Sequence, residues 1–531
     1  MVFQATATMG GAAITMAAPA VVLAGLLLLL FNWFFHEPRG EGSQDSHLPP
    51  VPELPGRLPI IGNALQLREK KPHITFAKLA KKYGPIFSIK IGAKSFVVLN
   101  GNDVAKEAMV TRLASMGAKK LSKFLSITAF DQGMVAMCDY GDFHKMAKRH
   151  IIKSVLGPIA QKQYRAHRDT LVENMVKECD AHVKNNGLQP VIFRNFFGSE
   201  LFSLGMKEAF GRDVDDIHVE ELGRLSRHDI YNILINGPVE IALQYIDWGD
   251  FFPVLKWIPQ TNFARKVEKM VFRRLALVKA IMKEQSKRLA SGEEMNCYLK
   301  YLLTEGESLT ERQIAGLLWE VLIETSHTSM TTAEWAMFEL AQNQEMQQKL
   351  YEEIQSVCGS DKITEEHLCQ LPLLDAVFHE SLRTHHPLAI VPVRYAHEDT
   401  ELGGYYIPAG SEVGYYLVNF YINPRNIIAI NLYGCNMDES TWEKPEEWNP
   451  ERFLDQKKYA PNDLFKTMAF GWGKRLCSGA LQAALVVCTT IGRLVQEYEW
   501  KLADGEEEDR EIVGIVNERL RPMRAVIRPR N

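Results

Sequence analysis

One stretch of ten residues near the C-terminus constrains the fold and the chemistry of this chain more than any other. It reads Phe-Gly-Trp-Gly-Lys-Arg-Leu-Cys-Ser-Gly over residues 470–479, and an apolar, helix-like run over residues 480–487 follows it. Its cysteine, Cys477, precedes a helix start, whose amides and positive dipole end favour an ionised sulfur. Gly473 and Gly479 let the backbone approach a flat ligand where a Cβ would clash. The stretch predicts a loop that presents one thiolate to an iron atom.

A haem is the iron group that such a loop serves best. A thiolate ligand pushes electron density into haem iron and favours O–O cleavage, so one cysteine can define an oxygen-activating site. Arg475 can form two hydrogen bonds with a haem propionate. The plain alternative for Cys477 is a buried structural cysteine. A phosphate-binding loop around Lys474 is excluded, because the upstream glycine and the following hydroxyl residue are both missing.

The spacing F-x-x-G-x-R-x-C-x-G resembles the haem-binding loop of the cytochrome P450 superfamily. The resemblance implies that Cys477 ligates the iron of haem b, and that Phe470, Gly473 and Arg475 are further cofactor contacts. It also implies a mainly α fold with a small β-sheet region. Molecular oxygen and electrons from NADPH, delivered by a cytochrome P450 reductase, complete the implied monooxygenase chemistry.

Composition limits the domain count and the class of partner. The 531 residues contain no Gly/Ser-rich linker or repeat after residue 60, so we expect one large catalytic domain over residues 60–531. The net charge of -4 excludes a strongly basic nucleic-acid binder. The 8 cysteines include no Cys-x-x-Cys pair, which argues against a zinc module or a disulfide scaffold. A reduced, cytosol-facing domain follows.

The N-terminus predicts a membrane anchor. Residues 1–35 carry no Lys, Arg, Asp or Glu, and residues 21–35 are almost continuously apolar. With the Ala-rich segment before them they reach the ~20 residues that span a bilayer. We expect a single-pass anchor over residues 1–36 and a stiff, Pro-rich hinge over residues 37–59. A cleaved signal peptide is the alternative, but no basic leader opens this segment and no cleavage site follows it. The resemblance implies the endoplasmic reticulum or the plastid outer envelope.

A long helix is predicted from a capping pattern at Thr310. Its apolar stripe runs as far as Val321 and Leu322 and then becomes hydroxyl-rich. Clustered Ser and Thr side chains can bond back to helix carbonyls and bend the helix, which opens room for a ligand. Glu324-Thr325 resembles the acid–alcohol pair through which P450s deliver protons, a general-acid role. A capped amphipathic helix is the plain alternative.

Residues 140–155 predict a basic helix with two stripes. The resemblance implies that Lys148 contacts a haem propionate, although His144 stands where the family usually has tryptophan. Arg394 stands where the family supplies another propionate donor. The second stripe is either a solvated helix face or a docking surface for an acidic reductase, and its residues are Lys145, Arg149 and Lys153.

Glu380 and Arg383 stand at i and i+3 on a predicted helix. Most such pairs are surface pairs worth under ~1 kcal/mol. With Arg452 in the later Pro-Glu-Arg-Phe stretch, they resemble the E-x-x-R pair of P450s and its third partner. That resemblance implies a structural role for all three, in holding the cysteine loop.

Further stretches at residues 365–368, 398–405, 432–438 and 466–470 resemble the plant ent-kaurene oxidases. That resemblance implies oxidation of one ring methyl of ent-kaurene, through alcohol and aldehyde, to ent-kaurenoic acid in gibberellin biosynthesis. A hydrocarbon must be held by apolar burial. The candidate substrate-lining residues are Leu121, Phe124, Val321, Leu322, Leu388, Ala389, Ile390, Val391, Gly514 and Ile515.

Departures from that subfamily keep other functions open. His327 stands where aspartate is common, and Trp472 replaces a small residue. A paralogue that hydroxylates a related diterpene, such as a pimaradiene in defence metabolism, is therefore a rival. A haem-thiolate isomerase or dehydratase would need no proton relay, so Glu324-Thr325 argues against it.

Residues 414–428 form an apparent insertion in a strand and are rich in Tyr, Asn and Ile. We expect either a retained intron in the gene sequence or a real surface loop, since lengthening a loop costs only ~0.6 kcal/mol per doubling. A real insertion that disrupts the fold would make the chain an inactive haem protein. Sequencing of the mature transcript separates the two origins.

Overall fold

The computed structural model describes most of the predicted catalytic domain and part of the predicted hinge. The described residues are 47–67, 71–119, 121, 123–244, 251–252, 255, 261–306, 308–391, 394–409, 427–455, 457–460, 463–506, 517, 519 and 521–530. The predicted anchor over residues 1–36 lies outside them. Within these ranges, none of the helices combines the length and the apolar character that a bilayer span requires.

Helices dominate the fold, as predicted. The α-helices in chain order are α1 (Pro72–Tyr83), α2 (Asn102–Lys106), α3 (Leu113–Met116), α4 (Lys123–Thr128), α5 (Asp142–Ile151), α6 (Pro158–Gln163), α7 (Arg165–Asn186), α8 (Phe193–Phe210), α9 (Arg227–Tyr231), α10 (Gly237–Gln244), α11 (Thr261–Ala290), α12 (Tyr298–Glu305), α13 (Glu311–Gln342), α14 (Gln344–Cys358), α15 (Pro372–Thr384), α16 (Leu432–Asn436) and α17 (Ala480–Glu497). Short 3-10 turns cover Pro450–Phe453 and Gly473–Arg475, and π-helical turns cover Glu107–Thr111 and Ile152–Leu156.

The long helix α13 begins where the capping pattern placed it. The Thr310 hydroxyl accepts the Gln313 amide at 3.3 Å, and the Gln313 side chain accepts the Thr310 amide at 2.9 Å. Both bonds satisfy amides that a helix start leaves without partners. The first half of α13 packs in one apolar cluster with α8 and α11, and its second half packs in another with α14, α15 and α17. The polar segment from Glu324 to Ser329 therefore lies between two cores.

The strands form small sheets beside the helices. They are β1 (Ile86–Ile91), β2 (Lys94–Leu99), β3 (Val191–Ile192), β4 (Asp216–Val219), β5 (Gly223–Ser226), β6 (Thr400–Leu402), β7 (Tyr405–Ile407), β8 (Ile427–Ile430), β9 (Tyr498–Leu502) and β10 (Arg524–Pro529). The first two strands form a hairpin, in which β1 pairs antiparallel with β2, from Ile86 opposite Leu99 to Ile91 opposite Lys94. Strand β8 adds to β2 in parallel, and β9 and β3 flank β10.

The described half of the Pro-rich hinge lies against the first sheet. The Ser88 amide of β1 donates to Pro52 at 2.7 Å, and the Leu54 amide donates to Ser88 at 2.8 Å. The Tyr406 amide of β7 donates to Pro49 at 2.9 Å. Residues 49–54 are therefore extended, as proline density predicts, and are bound to the domain.

Most of the predicted insertion lies outside the described residues, but its last two residues do not. Ile427 and Ile428 are the first residues of β8, and they pair with Phe96 and Val97 of β2. Both residues belong to the sheet, and the insertion over residues 414–428 stays a prediction. The origin of the remaining residues stays a prediction.

Candidate active site

Two hydrogen bonds shape the cysteine loop. The Cys477 amide donates to Phe470 at 2.9 Å, which brings the two ends of the loop together. Inside it, the 3-10 turn Gly473–Arg475 is closed by the Leu476 amide, which donates to Gly473 at 3.0 Å. Helix α17 then begins at Ala480, one residue after its cap at Gly479. The sequence predicted this loop-to-helix order.

Gly473 allows a close approach to protein backbone. Its φ is +72°, in the left-handed region that favours glycine. A Cβ there would lie 2.6 Å from the Met109 carbonyl oxygen and 3.4 Å from Val110. The loop therefore packs on the π-helical turn Glu107–Thr111, which gives glycine at position 473 a second physical reason, while its contact with the cofactor stays a prediction.

The Phe470 side chain packs the cysteine loop against the part of the core that contains α15. Its ring centroid lies 6.3 Å from that of Phe378 on α15 and 6.4 Å from that of Phe465. Such ring pairs add to the free energy that apolar burial provides. Nearby, Lys466 forms an ion pair with Asp375 of α15. The loop is thus anchored at its start by packing and by charge.

The Cys477 sulfur lies deep in the protein, yet the residue keeps accessible surface, so it borders an interior space. Burial raises the pKa of this thiol to about 11, and Glu324 adds to the rise. The Gly479 amide and Lys148 lower it. A thiol that ligates a metal ion is deprotonated by the metal charge itself. The donor set, one soft sulfur beside a helix start, fits haem iron.

Glu324 and Thr325 lie on the part of α13 that faces the cysteine. Glu324 also lies deep in the protein and keeps accessible surface, and its charge interacts with Cys477. Ser326, Thr328 and Thr332 donate their hydroxyls to carbonyls one turn earlier, at 2.7 to 2.9 Å. Within the described part of the chain, the Thr325 hydroxyl makes no such bond. An acid and an unengaged alcohol are therefore neighbours on α13, and the charge of the acid acts on the cysteine.

Three cations converge near the cysteine loop. Lys119 and Arg394 are buried, and Arg475 is half-buried. The Tyr395 amide donates to Ala118 at 3.1 Å, which sets Arg394 beside Lys119. Arg475 Nη2 donates to the carbonyls of Gly117 and Cys138, at 2.9 and 2.7 Å. This cation cluster, defined as Lys119, Arg394 and Arg475, is held by backbone on several sides.

The cation cluster fits an anionic group. Among the residues that the structure describes, Arg394 Nη1 and Arg475 Nε have no hydrogen-bond partner. Burial, then the charges of Arg475 and Arg394, lower the pKa of Lys119 to about 7. Burial, then Arg475, lowers the pKa of Arg394 to about 9. Buried cations are costly unless they are paired. The two propionates of a haem would supply the missing carboxylates.

Lys119 was not foreseen from the sequence. It lies in a stretch without clear periodicity, and no local motif marks it. The bridge between Ala118 and Tyr395, and the bond from Arg475 to Gly117, bring it to the other two cations. Lys119 can therefore be recognised as a member of the cation cluster only from the tertiary structure.

Lys148 and His144 of α5 face the same region. Lys148 Nζ donates to the carbonyls of Lys474 and Leu476, at 2.9 and 2.7 Å, so it fastens the cysteine loop. Only the third N–H of the Lys148 ammonium then remains for the predicted contact with a haem propionate. His144 is buried, and burial, then Arg475, Lys148 and Lys119, lowers its pKa to about 4. A neutral imidazole stands where the family has tryptophan.

The structure brings Glu380, Arg383 and Arg452 together. Arg383 Nε and Nη2 donate to the two oxygens of Glu380, at 2.7 and 2.8 Å. Arg452 Nε donates to Glu380 Oε1 at 3.1 Å. Arg383 also donates to the carbonyls of Asn436 and Pro445. This ion-pair triad, fully buried at Glu380 and Arg383, joins α15 to the segment before the cysteine loop.

The candidate substrate-lining residues divide into two groups. Leu121, Leu388 and Val391 are half-buried and remain candidates. Ala389 and Ile390 are packed in the apolar cluster beside β1 and β2. The side chain of Phe124, and both Gly514 and Ile515, lie outside the described residues.

The prediction for Leu322 is corrected, and Val321 is buried as well. Leu322 is fully buried, and its side chain would lie 3.3 Å from a Cβ at Gly205 of α8. Two residues along a helix turn about 200°, so Leu322 points away from Glu324. Val321 is 3% exposed and packs in the same cluster. The apolar stripe of α13 faces α8 rather than a ligand.

Replacing Lys119 with methionine tests the cation cluster. We expect haem to transfer to apomyoglobin about tenfold faster, because a hydrogen bond to a charged group is worth ~1.5–3 kcal/mol. The surface variant Lys162→Met, on an exposed position of α6, is the matched control. Equal haem-transfer rates for the two variants would exclude Lys119 from the cofactor site.

Comparison with known proteins identifies the family. The family model described as Cytochrome P450 matches residues 52–522. A zebra fish cytochrome P450 solved with abiraterone superimposes with a TM-score of 0.70 at 19% identity, and the match covers 87% of this chain and 100% of that chain. That likeness shows the fold.

Plant relatives share far more sequence. Ent-kaurene oxidase from Salvia miltiorrhiza is 49% identical over 98% of this chain and 96% of that protein. Ent-kaurene oxidase 2 from Oryza sativa subsp. japonica is 47% identical over 89% and 90%. Ent-sandaracopimaradiene 3-hydroxylase from the same rice is 42% identical over 91% of both. Since the family model and these relatives cover most of the chain, and the cysteine loop and acid–alcohol pair lie within the match, this chain belongs to the cytochrome P450 family and is a monooxygenase.

Proposed function

We propose that this P450 oxidises a polycyclic diterpene hydrocarbon, with ent-kaurene as its substrate and ent-kaurenoic acid as its product. The observation that carries the proposal is the 49% identity, over nearly the whole chain, to a protein named ent-kaurene oxidase. A paralogue with another reaction would keep the fold, so function is argued from the site as well.

Each group of residues in the site has a separate role. Haem bound through Cys477 supplies the oxygen-activating chemistry. The cation cluster and Lys148 hold the cofactor and its loop in place. Glu324 and Thr325 deliver protons from the α13 side. Apolar residues such as Leu121 and Leu388 hold a hydrocarbon by burial, since the substrate has no polar handle.

A pimaradiene hydroxylase is the second candidate, and two observations favour it. One is the 42% identity to ent-sandaracopimaradiene 3-hydroxylase. The other is His327, where Nε2 is buried without a hydrogen-bond partner in the described ranges. Burial, then Arg194, lowers the pKa of His327 to about 4, so the side chain is neutral. A neutral imidazole differs from the aspartate of the ent-kaurene oxidases, and it changes the polarity of α13 near the site.

Product analysis separates the candidates. The full chain, with a plant P450 reductase and NADPH, is incubated with ent-kaurene and separately with ent-sandaracopimaradiene. Ent-kaurenoic acid supports the first proposal, and a hydroxylated pimaradiene without kaurene products supports the second. A protein that shows the reduced, CO-bound thiolate spectrum but turns over neither diterpene would overturn both.

We also propose that the exposed faces of Lys145, Arg149 and Lys153 dock the reductase. All three side chains are exposed on α5 and on the π-helical turn after it, close to the loop that carries Cys477. A basic surface attracts an acidic partner and raises its association rate.

Reversing these three charges to glutamate should slow reductase-driven haem reduction about tenfold at low salt, and less at high salt. The substrate-induced spectral shift should stay unchanged. Stopped-flow reduction by the reductase measures the effect. Wild-type reduction rates in the reversed variant would show that the stripe is only a solvated face.

Residues 1–36 are proposed to anchor the protein in the endoplasmic reticulum or the plastid outer envelope, with the domain on the cytosolic side. The apolar, uncharged composition of residues 1–35 supports this proposal. Imaging of the full chain fused to a fluorescent protein, beside markers for both membranes, tests it. A diffuse cytosolic signal would contradict an anchor.

A further inference from the structure

A second carboxyl lies one helical turn before Glu324. Glu320 is 1% exposed, and it shares a face of α13 with Glu324 because residues i and i+4 are neighbours on a helix. Its Oε2 accepts the Val135 amide at 2.8 Å, and its Oε1 accepts the Ala136 amide at 2.7 Å. Each carboxyl oxygen is therefore held by one backbone amide, which fixes the orientation of the group.

The loop that supplies these amides lies along α13 and contacts it at each successive turn. Asp131 pairs with Arg312 at 2.8 Å. The carbonyl of Gly133 lies against Gly316, where a Cβ would come within 2.7 Å. The amides of the next turn reach Glu320. A larger side chain at residue 316 would push the loop outward, so glycine there keeps the amides within reach.

The charged and titratable groups around the two carboxyls come from several elements. Glu320 interacts with Tyr298 of α12, with Cys138 and with Lys119. Glu324 interacts with Glu320, Lys119 and Cys477. Lys119 is the cation that both carboxyls share. Two neighbouring buried carboxyls do not both ionise readily, and one shared proton relieves the repulsion between them.

We propose that Glu320 is a positioning residue for the proton donor Glu324, and that the two carboxyls form one pair that holds a single shared proton. The loop amides hold Glu320 as the acceptor, so Glu324 is the acid that faces the oxygen site. The proton that Glu324 gives up is replaced from solvent water, and no electron moves in this step. The inference rests on the proposed relay role of Glu324-Thr325.

The titration behaviour agrees with this geometry. Burial, then the charge of Glu320 and the hydrogen bond to it, raises the pKa of Glu324 well above its ordinary value. Burial raises the pKa of Glu320 to about 7, and the Ala136 and Val135 amides oppose that rise. Removing the Glu320 charge therefore lowers the pKa of Glu324, and the protonated donor is then lost at a lower pH.

The test is Glu320→Gln in the full chain, with reductase, NADPH and the diterpene that the wild type oxidises. We expect product formed per NADPH consumed to fall about tenfold, less than the ~10²-fold or more that a general acid contributes. The pH at which coupled turnover is half lost should move down by on the order of one unit. Rates are normalised to haem content from the reduced, CO-bound spectrum. An unchanged pH midpoint overturns the inference.

Two control variants distinguish a failure of this inference from a failure of the relay role on which it rests. Glu324→Gln should itself lower product per NADPH by ~10²-fold. If it does not, the relay role fails; if it does while Glu320→Gln matches the wild type, only the positioning role fails. Glu334→Gln is the matched structural control, because Glu334 is a buried carboxyl of α13 that takes the Met523 amide at 2.9 Å and pairs with Arg194. It should lose stability without moving the pH midpoint.

An infrared measurement tests the shared proton without Glu320→Gln, in case that variant does not fold. At pH 7 the wild type should show the carbonyl band of a protonated carboxylic acid that is missing from Glu324→Gln. The difference spectrum of the two proteins isolates this group from other buried acids. A difference spectrum without that band overturns the shared proton.

Discussion

Cys477→Ser should abolish the thiolate-type Soret band of the reduced, CO-treated protein and reduce turnover to background. A serine oxygen is a harder ligand that does not donate electron density as a thiolate does, so O–O cleavage loses its driving group. The structure leaves room for the serine, because Cys477 borders an interior space and the Gly479 amide still finds an acceptor. The measurement is the CO-difference spectrum, followed by product analysis.

Cys369→Ser is the control, because Cys369 is an exposed cysteine outside the site. It should leave the spectrum and turnover unchanged. A Cys477→Ser protein with a thiolate-type band and normal turnover would refute the assignment of this loop to the haem.

Glu380→Gln should cost about 3–5 kcal/mol of the free energy of unfolding, because it leaves Arg383 and Arg452 without their buried counter-charge. Glu380 Oε1 accepts three bonds, from Arg383, Arg452 and the Asn449 amide, and the neutral amide of glutamine keeps one acceptor for the four donors around the carboxylate. A domain with ~5–15 kcal/mol of stability loses a large fraction of it. The thiolate–CO spectrum per total protein, followed through a denaturant titration, measures the loss.

The exposed pair between Glu345 and Lys349 of α14 is the matched control, with atoms 3.1 Å apart. Glu345→Gln should cost under ~1 kcal/mol, because exposed pairs are screened by water and salt. If Glu380→Gln were as mild as Glu345→Gln, the triad would have no structural role.

Local signals in the sequence were sufficient for the elements around the site. The cap at Thr310 and the loop before α17 each depend on neighbours a few residues away. These are short-range preferences of the backbone, so the sequence alone predicts them. The mainly α fold with small sheets followed from the resemblance that those motifs carried.

The failures concern contacts between distant segments. Glu320 and Lys119 became visible only when the loops at residues 131–136 and 115–119 were placed on their neighbours. Leu322 was misassigned because an apolar stripe shows that a helix face is covered, but not by which partner. Here α8 covers it, through the close approach that Gly205 permits.

Because residues 49–54 are bound to the first sheet, they do not add to the length of any connection between a bilayer and the catalytic domain. For the proposed anchor over residues 1–36, chain length alone limits the span of residues 37–48 to ~40 Å. Had the whole proline-rich stretch been loose, the reach would have been nearly twice as great. If residues 1–36 anchor the chain as proposed, the domain works close to the lipid surface, where the proposed hydrocarbon substrate dissolves.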